Sequence, residues 1–353
     1  MTLPSSGQIS LKQIANEFGY TEPNQVTTKL GSYRTTNGQG NFPVSFGDLQ
    51  FNSIDAQTGG SVPTGSSPIA LTDFYGTKLH TVVNFYSGST EFRRVAKDKY
   101  NSSSADDVQT VGNYKRPPNS RNTKVHIHVN KSIGSEHTNT QHCALKTGLW
   151  DLNTDLQVDV GGSGRISGAG GTGGAGSTNS GSGFDGLDGS SGLGIQYDGT
   201  IVTVASGGFI QAGFGGGGGG GGGFDTDKEA DRTASGGGGG GGAGIPAGGG
   251  GAEGSGGTEG GPGTAGNEIN GGTGGSPSNN DGECTGGEGG DGGDRAGSAG
   301  EGDIGTGGES SRSDGGDPGS PGAAIRRTSG FNVSIDATSL SRVHGVTNAE
   351  DVL

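Results

Sequence analysis

His126 and His128 carry the plainest coordination chemistry in this chain of 353 residues. They stand two apart in Val125-His126-Ile127-His128-Val129, where apolar and polar residues alternate as in a β-strand. Both imidazoles then point to one face, and a pair at that spacing can chelate a metal. Two ordinary surface histidines are the plainer reading. His142-Cys143 nearby completes no zinc spacing. Gly289-Gly290-Asp291-Gly292-Gly293-Asp294 has the look of a Ca²⁺-binding repeat but lacks its period of nine and its apolar position. The glycine runs contain no Gly-Lys-Ser/Thr, so a phosphate cradle is unsupported. No Ser/His/Asp set and no paired carboxylates stand out. The residues predict no enzyme and no cofactor, with His126 and His128 as the candidate metal pair.

Any functional side chain must be positioned by glycine. Of the 84 glycines, 68 fall between Gly161 and Gly322. Gly215 to Gly223 and Gly236 to Gly242 are unbroken runs, and Gly251, Gly254, Gly257, Gly260, Gly263 and Gly266 recur at every third residue. That beat fits neither α-helix nor β-strand; it fits the left-handed, three-per-turn helix of the polyproline II and collagen type. Such a helix makes no internal hydrogen bonds, so each amide needs a lateral neighbour or water. In Gly286 to Asp294 the repeat is Gly-Gly-acid, which puts Glu288, Asp291 and Asp294 on one edge, about 9 Å apart. That reads as an outer helix of a bundle, and the pure runs read as inner helices. The same low hydrophobicity also describes a disordered segment. A collagen triple helix needs an unbroken frame and abundant proline, whereas here the frame shifts and 12 prolines are spread over the chain.

With 26% hydrophobic residues, conventional packing must be confined to part of the chain. The net charge of −14 is concentrated in residues 161–323, with 20 Asp and Glu against five Lys and Arg. This argues against nucleic acid binding through a basic patch. No signal peptide is visible in Met1 to Gly7, and no apolar stretch approaches transmembrane length, so no membrane insertion is expected. Cys143 and Cys284 read as two free thiols.

The expected fold is mostly β and irregular. It has small N-terminal helical modules, a β platform, and a polyglycine II helix bundle with exposed loops. Residues 1–79 form the first unit, where Ser10-Leu11-Lys12-Gln13 is a capping box that opens a short helix with Leu11, Ile14, Ala15 and Phe18 on its apolar face, closed by Gly19. Residues 80–160 form the β domain, 161–323 the glycine-rich domain, and 324–353 a closing strand segment. A repeat at a spacing of 44 matches Val158, Val160 and Ile166 to Val202, Val204 and Ile210. Phe331 to Ile335 with Arg342 to Gly345 is a looser third copy. These strands read as the platform from which the glycine helices emerge and to which they return.

Val202 to Gly223, a Val/Ile strand pair running through Gly207-Gly208-Phe209-Ile210 into polyglycine, resembles the glycine-rich adhesins of bacteriophage tail fibres, above all the tip adhesins of T-even-like phages. Gly7-Gln8-Ile9-Ser10-Leu11 and Pro68-Ile69-Ala70-Leu71, ending Phe74-Tyr75-Gly76, resemble modules of tailed-phage virion proteins. This chain departs from the adhesins in carrying its own N-terminal modules and β region. The resemblance implies a virion location, attachment to other tail proteins through residues 1–79, and a bacterial surface receptor, either an outer-membrane protein or a glycan. It also implies that the non-glycine interruptions make the contact. The foremost is Phe224-Asp225-Thr226-Asp227-Lys228-Glu229-Ala230-Asp231-Arg232, which joins an aromatic anchor to both charge signs. Phe184, Tyr197, Asn279 and Asn280 stand in further interruptions. The alternative is a structural tail or capsid-decorating protein that uses the glycine region as a stiff spacer or interface.

Overall fold

Alternating Val and Ile segments give the chain its apolar core, wound as a parallel solenoid. The computed structural model describes residues 3–17, 35–36, 39–40, 45–46, 49–54, 67–76, 78–85, 89–92, 94–96, 124–136, 139–225, 232–280, 284–306 and 311–352. Each of five coils supplies one strand to each of three sheets. The first sheet runs through Lys78–Phe85, Lys124–Val129, Asp155–Val160, Thr200–Val204 and Val333–Ile335. The second stacks Glu91–Phe92, Ser132–Gly134, Arg165–Ser167, Phe209–Gln211 and Val343–His344. The third stacks Arg94–Val95, Cys143–Lys146, Ser191–Ile195, Ile325–Arg327 and Ala349–Glu350.

Register follows the repeat. Val158 lies opposite Val202, Val160 opposite Val204 and Ile166 opposite Ile210, all in parallel pairs. The looser third copy stacks next, with Ile335 on Val202 and Val343 on Ile210. Leu156, Val158 and Val160 are buried while Asp155, Gln157 and Asp159 between them are half-exposed, as a period of two requires. The buried cluster continues through Val125, Ile127, Ile133, Leu145, Leu193, Ile195 and Ile325. Cys143 and Cys284 are both buried and form no disulfide. Burial, only partly opposed by Arg326 and Lys146, pushes the Cys143 thiol up to about 12, which leaves it unreactive.

At the N-terminal side, Leu49–Ile54 pairs antiparallel with Lys78–Phe85 and extends the first sheet. The capping box of helix Leu11–Glu17 is formed: Ser10 N–H donates to Gln13 Oε1 (2.8 Å) and Gln13 N–H to Ser10 Oγ (3.2 Å). The two related phrases meet, since Gly76 N–H donates to the Pro4 carbonyl and the Tyr75 hydroxyl to the Gly7 carbonyl. Ile14 is buried there, but Leu11, expected on the same face, is 46% exposed. Among the described residues no helix is long and apolar enough to cross a membrane.

Glycine leaves the solenoid between its second and third sheets. In the third coil the chain runs out along 168–176 and back along 183–190. In the fourth it makes four round trips: 213–222 and 235–244, 248–254 and 260–266, 271–276 and 286–293, then 300–305 and 314–322. These ten segments bond laterally on a beat of three. Gly213, Gly216 and Gly219 donate to Ser190, Leu187 and Phe184; Phe214, Gly217 and Gly220 donate to Ala243, Gly240 and Gly237; Gly218 and Gly221 donate to Gly300 and Asp303. The carbonyls of 213–222 accept with the same beat from 171–177, 287–293 and 316–322. Six neighbours therefore surround 213–222. They surround 235–244 as well, which donates to 171–174, 261–264 and 287–293 and accepts from 214–220, 248–254 and 272–275. The two unbroken glycine runs are these two central segments. A Cβ at Gly217, Gly218 or Gly219 would collide with the carbonyl oxygens of Gly290, Gly316 and Ala175, on three different neighbours. Outside, Glu288 and Asp291 are exposed and Asp294 is half-buried, while Gly286, Gly287, Gly289 and Gly290 are buried.

Within 161–323, the strands Arg165–Ser167, Ser191–Ile195, Thr200–Val204 and Phe209–Gln211 belong to the solenoid, and the ten glycine segments build the array.

Candidate functional site

Because successive glycine segments run in opposite directions, their connections gather at two ends. Among the described residues, the end away from the solenoid collects 177–182, 223–225 with 232–234, 255–259, 277–280 with 284–285, and 306 with 311–313. These connections bond to one another. Asn179 N–H donates to Ser255 O (2.8 Å), Thr258 N–H to Thr233 O (3.0 Å) and Gly222 N–H to Gly181 O (2.9 Å). Asn280 Nδ2 donates to Thr233 O, and the Ser313 hydroxyl donates to Ser180 O. Thr285 and Thr306 exchange both backbone hydrogen bonds, at 2.7 and 2.8 Å. Gly223–Asp225 pairs antiparallel with Arg232–Ala234 on one side and Ser311–Arg312 on the other.

This end brings together Phe224, Asp225, Arg232, Asn279 and Asn280 of the residues singled out from the sequence. Phe224 and Arg232 are half-buried, and Asp225, buried, lies opposite Arg232 in register. They form the root of the foremost loop; Asp227, Lys228, Glu229 and Asp231 lie outside the described residues. Asn279 is exposed beside Asn280 in a strand paired with Cys284–Thr285. Phe184 is 57% exposed just below the 177–182 connection, with Leu187 exposed three residues on. Tyr197 is not at this end. Its hydroxyl donates to Asp151 O (3.1 Å) and accepts from Thr154 N–H (2.9 Å), bracing a corner of the solenoid.

His126 and His128 share the outer face of the first sheet, but the face is used internally. His126 Nδ1 meets Asp159 Oδ2 at 3.1 Å, and Asp159 Oδ1 accepts from Gln157 Nε2 (2.6 Å) and Thr203 Oγ1 (2.5 Å). Burial pushes the Asp159 carboxyl up, but the hydrogen bonds from His126 and Thr203, the charge of His126 and the bond from Gln157 outweigh it and hold the pKa below the usual range. Burial lowers the pKa of His128, Asp159 opposes this and His126 adds to it, leaving the net value below the ordinary one. A hollow of about 410 Å³ beside them is lined by His128, Asp159, Thr203, Asp336, Thr338 and Ser339. With both carboxylate oxygens of Asp159 engaged, the cluster ties neighbouring strands together. Among the described residues no three His, Cys, Asp or Glu side chains gather as a metal site.

One constellation gave no signal in the sequence. At the solenoid end of the array, the Arg295 guanidinium lies 4.1 Å from the centre of the Phe209 ring, and Arg165 lies 5.8 Å from it. Arg295 Nε donates to Gln211 Oε1 (2.7 Å), Arg165 pairs with Glu268 (2.8 Å), and Gln211 Nε2 donates to Ser167 Oγ and to Glu268 O. Burial, then the charge of Arg295, hold His344 below its ordinary pKa at the edge of the Phe209 ring. Two connections of the array, carrying Glu268 and Arg295, are thereby clamped to the second sheet. The spacing of 44 stacks Arg165 on Phe209 and Ser167 on Gln211, but only chain reversals within the array bring Glu268 and Arg295 to them, and no periodicity links those two.

The family model described as phage tail fibre adhesin Gp38 matches residues 93–347. Neither the curated proteins nor the solved structures yielded a match.

Proposed function

The chain belongs to the phage tail fibre adhesin family, and from that premise we propose that it presents the five gathered connections to a receptor on the bacterial surface. In this reading the ten glycine segments are polyglycine II helices, three residues per turn, and the array is the rigid mount of a recognition surface. The observation that carries it is the bonding of the far-end connections to one another above segments whose amides are fixed in three directions. A surface held this way loses little freedom on binding. Its foremost loop, 224–232, supplies Phe224, the carboxylates Asp225, Asp227, Glu229 and Asp231, and the cations Lys228 and Arg232. The receptor is an outer-membrane protein or a glycan, the chain works without enzymatic chemistry, and residues 1–79 join it to other tail proteins.

Phage adsorption tests this. Reversing charge at Lys228 and Asp231 (Lys228→Glu with Asp231→Lys) is expected to lower the adsorption rate at least about tenfold, the equivalent of one strong contact, with unchanged virion assembly. Unchanged adsorption after replacement of every far-end connection would leave a stiff spacer as the better reading. Deleting residues 1–79 is expected to keep the chain out of virions, and normal incorporation would overturn the attachment role.

A further inference from the structure

We infer that the edge of the glycine array formed by segment 314–322 is chemically closed against a further glycine segment, and that this closure keeps two copies of the chain from fusing side by side along it. The argument rests on the lateral hydrogen bonds and is independent of the receptor reading. A central segment such as 213–222 donates in three directions and finds a glycine neighbour in each. A rim segment lacks some of those neighbours, so its donors would stand open like those of an edge strand.

Segment 314–322 shows how they are closed. Gly316, Gly319 and Gly322 donate inward, to Gly219, Gly216 and Gly213. The next amide of each triplet meets a side chain of the adjacent segment: Asp317 N–H donates to Asp185 Oδ1 (2.9 Å), Ser320 N–H to Asp188 Oδ1 (2.7 Å) and Ala323 N–H to Ser191 Oγ (2.9 Å). The third positions are Pro318 and Pro321, both exposed, which have no N–H to offer. One donor set is used by glycine, one is capped every third residue, and one is deleted. On the opposite side the same two devices, a side-chain cap and a proline, recur on neighbouring segments. Thr273 N–H donates to Thr264 Oγ1 (2.7 Å), Gly274 N–H to Asp291 Oδ1 (2.8 Å), and the exposed Pro262 stands in segment 260–266.

The occupant excluded is a second copy of this chain, because only another segment with the same three-residue beat and no side chains could match this rim. Sedimentation of the purified full chain over a hundredfold range of concentration tests the inference. Pro318→Gly with Pro321→Gly leaves Asp185 and Asp188 in place; adding Asp185→Gly and Asp188→Gly opens the rim fully. The fourfold variant is expected to show a concentration-dependent rise in mass of about twofold, the step from one copy to two, beyond any seen for the unchanged chain. The double proline variant is expected to show a smaller rise in the same direction. If removing the carboxylates unfolds the array, as read by loss of its amide protection, the double proline variant decides alone. Sedimentation of that variant indistinguishable from the unchanged chain would overturn the inference.

Discussion

The solenoid and the glycine array solve the same problem, the satisfaction of backbone amides, from opposite compositions. The solenoid buries Val158, Val160, Ile166, Val202 and Ile210 and lets parallel ladders form around them. The array has almost no side chain to bury. Its amides bond laterally in three directions, and its density comes from backbones that touch. The first is held by apolar burial with hydrogen bonds as its geometry; in the second, hydrogen bonding and close contact are the main attraction. Tolerance to substitution should therefore differ in kind between them.

The sharpest break is a side chain at the centre of the array. Gly218→Val drives its Cβ into the Gly316 carbonyl oxygen, and nothing there can yield except backbone. A loss above about 4 kcal/mol is expected, read as collapse of amide protection across 213–222 while the solenoid strands stay protected. A cost near that of a surface change would show that the array is not close-packed. Next comes the solenoid. Ile166→Ala removes a fully buried side chain and should cost about 2–5 kcal/mol, measured by denaturant unfolding. A loss at Ile166 as large as that at Gly218 would erase the contrast.

Acid is expected to separate the two regions more gently. His128 is held below its ordinary pKa, so the unfolded chain binds its proton more readily, and stability falls as pH drops below about 6.5. Asp159 is held low; its contribution is present above the unfolded value near 3.9 and lost as pH falls through the folded value. The central glycine segments have no side chain to titrate. Hydrogen exchange from pH 7 to 4, corrected for intrinsic rates, should loosen Lys124–Val129 and Asp155–Val160 before 213–222; the reverse order would sink this assignment. The smallest effect belongs to Gly297→Ala, where an added Cβ meets nothing within 4 Å. It should change stability by no more than about 0.5 kcal/mol, checked by the same unfolding curve.

Much of this was legible in the residues because both regions are periodic. The spacing of 44 is the register of the third coil on the fourth, and the Gly-Gly-acid repeat puts Glu288 and Asp291 outside. Periodicity does not report pairings between single residues far apart in the chain. The Arg165–Glu268 pair and the caps from Asp185 and Asp188 each join positions more than a hundred residues apart, so composition gave no hint of them. Tyr197 shows the converse. An aromatic in a glycine-rich stretch reads as part of a contact loop, and nothing in that stretch announces that its hydroxyl bonds Asp151 and Thr154. For His126 and His128 the strand and the shared face were readable, while the partner that occupies His126 lay a coil away at Asp159.

Each excursion of glycine begins and ends on the same two sheets of the solenoid, so an out-going segment always needs a return. Additions to the array are thereby restricted to even numbers, two in the third coil and eight in the fourth. A lineage of such proteins can lengthen or shorten its tip by whole hairpins, each bringing one new far-end turn, without disturbing the winding beneath. Parity, a property of the connectivity alone, sets the step size in which this surface can diversify.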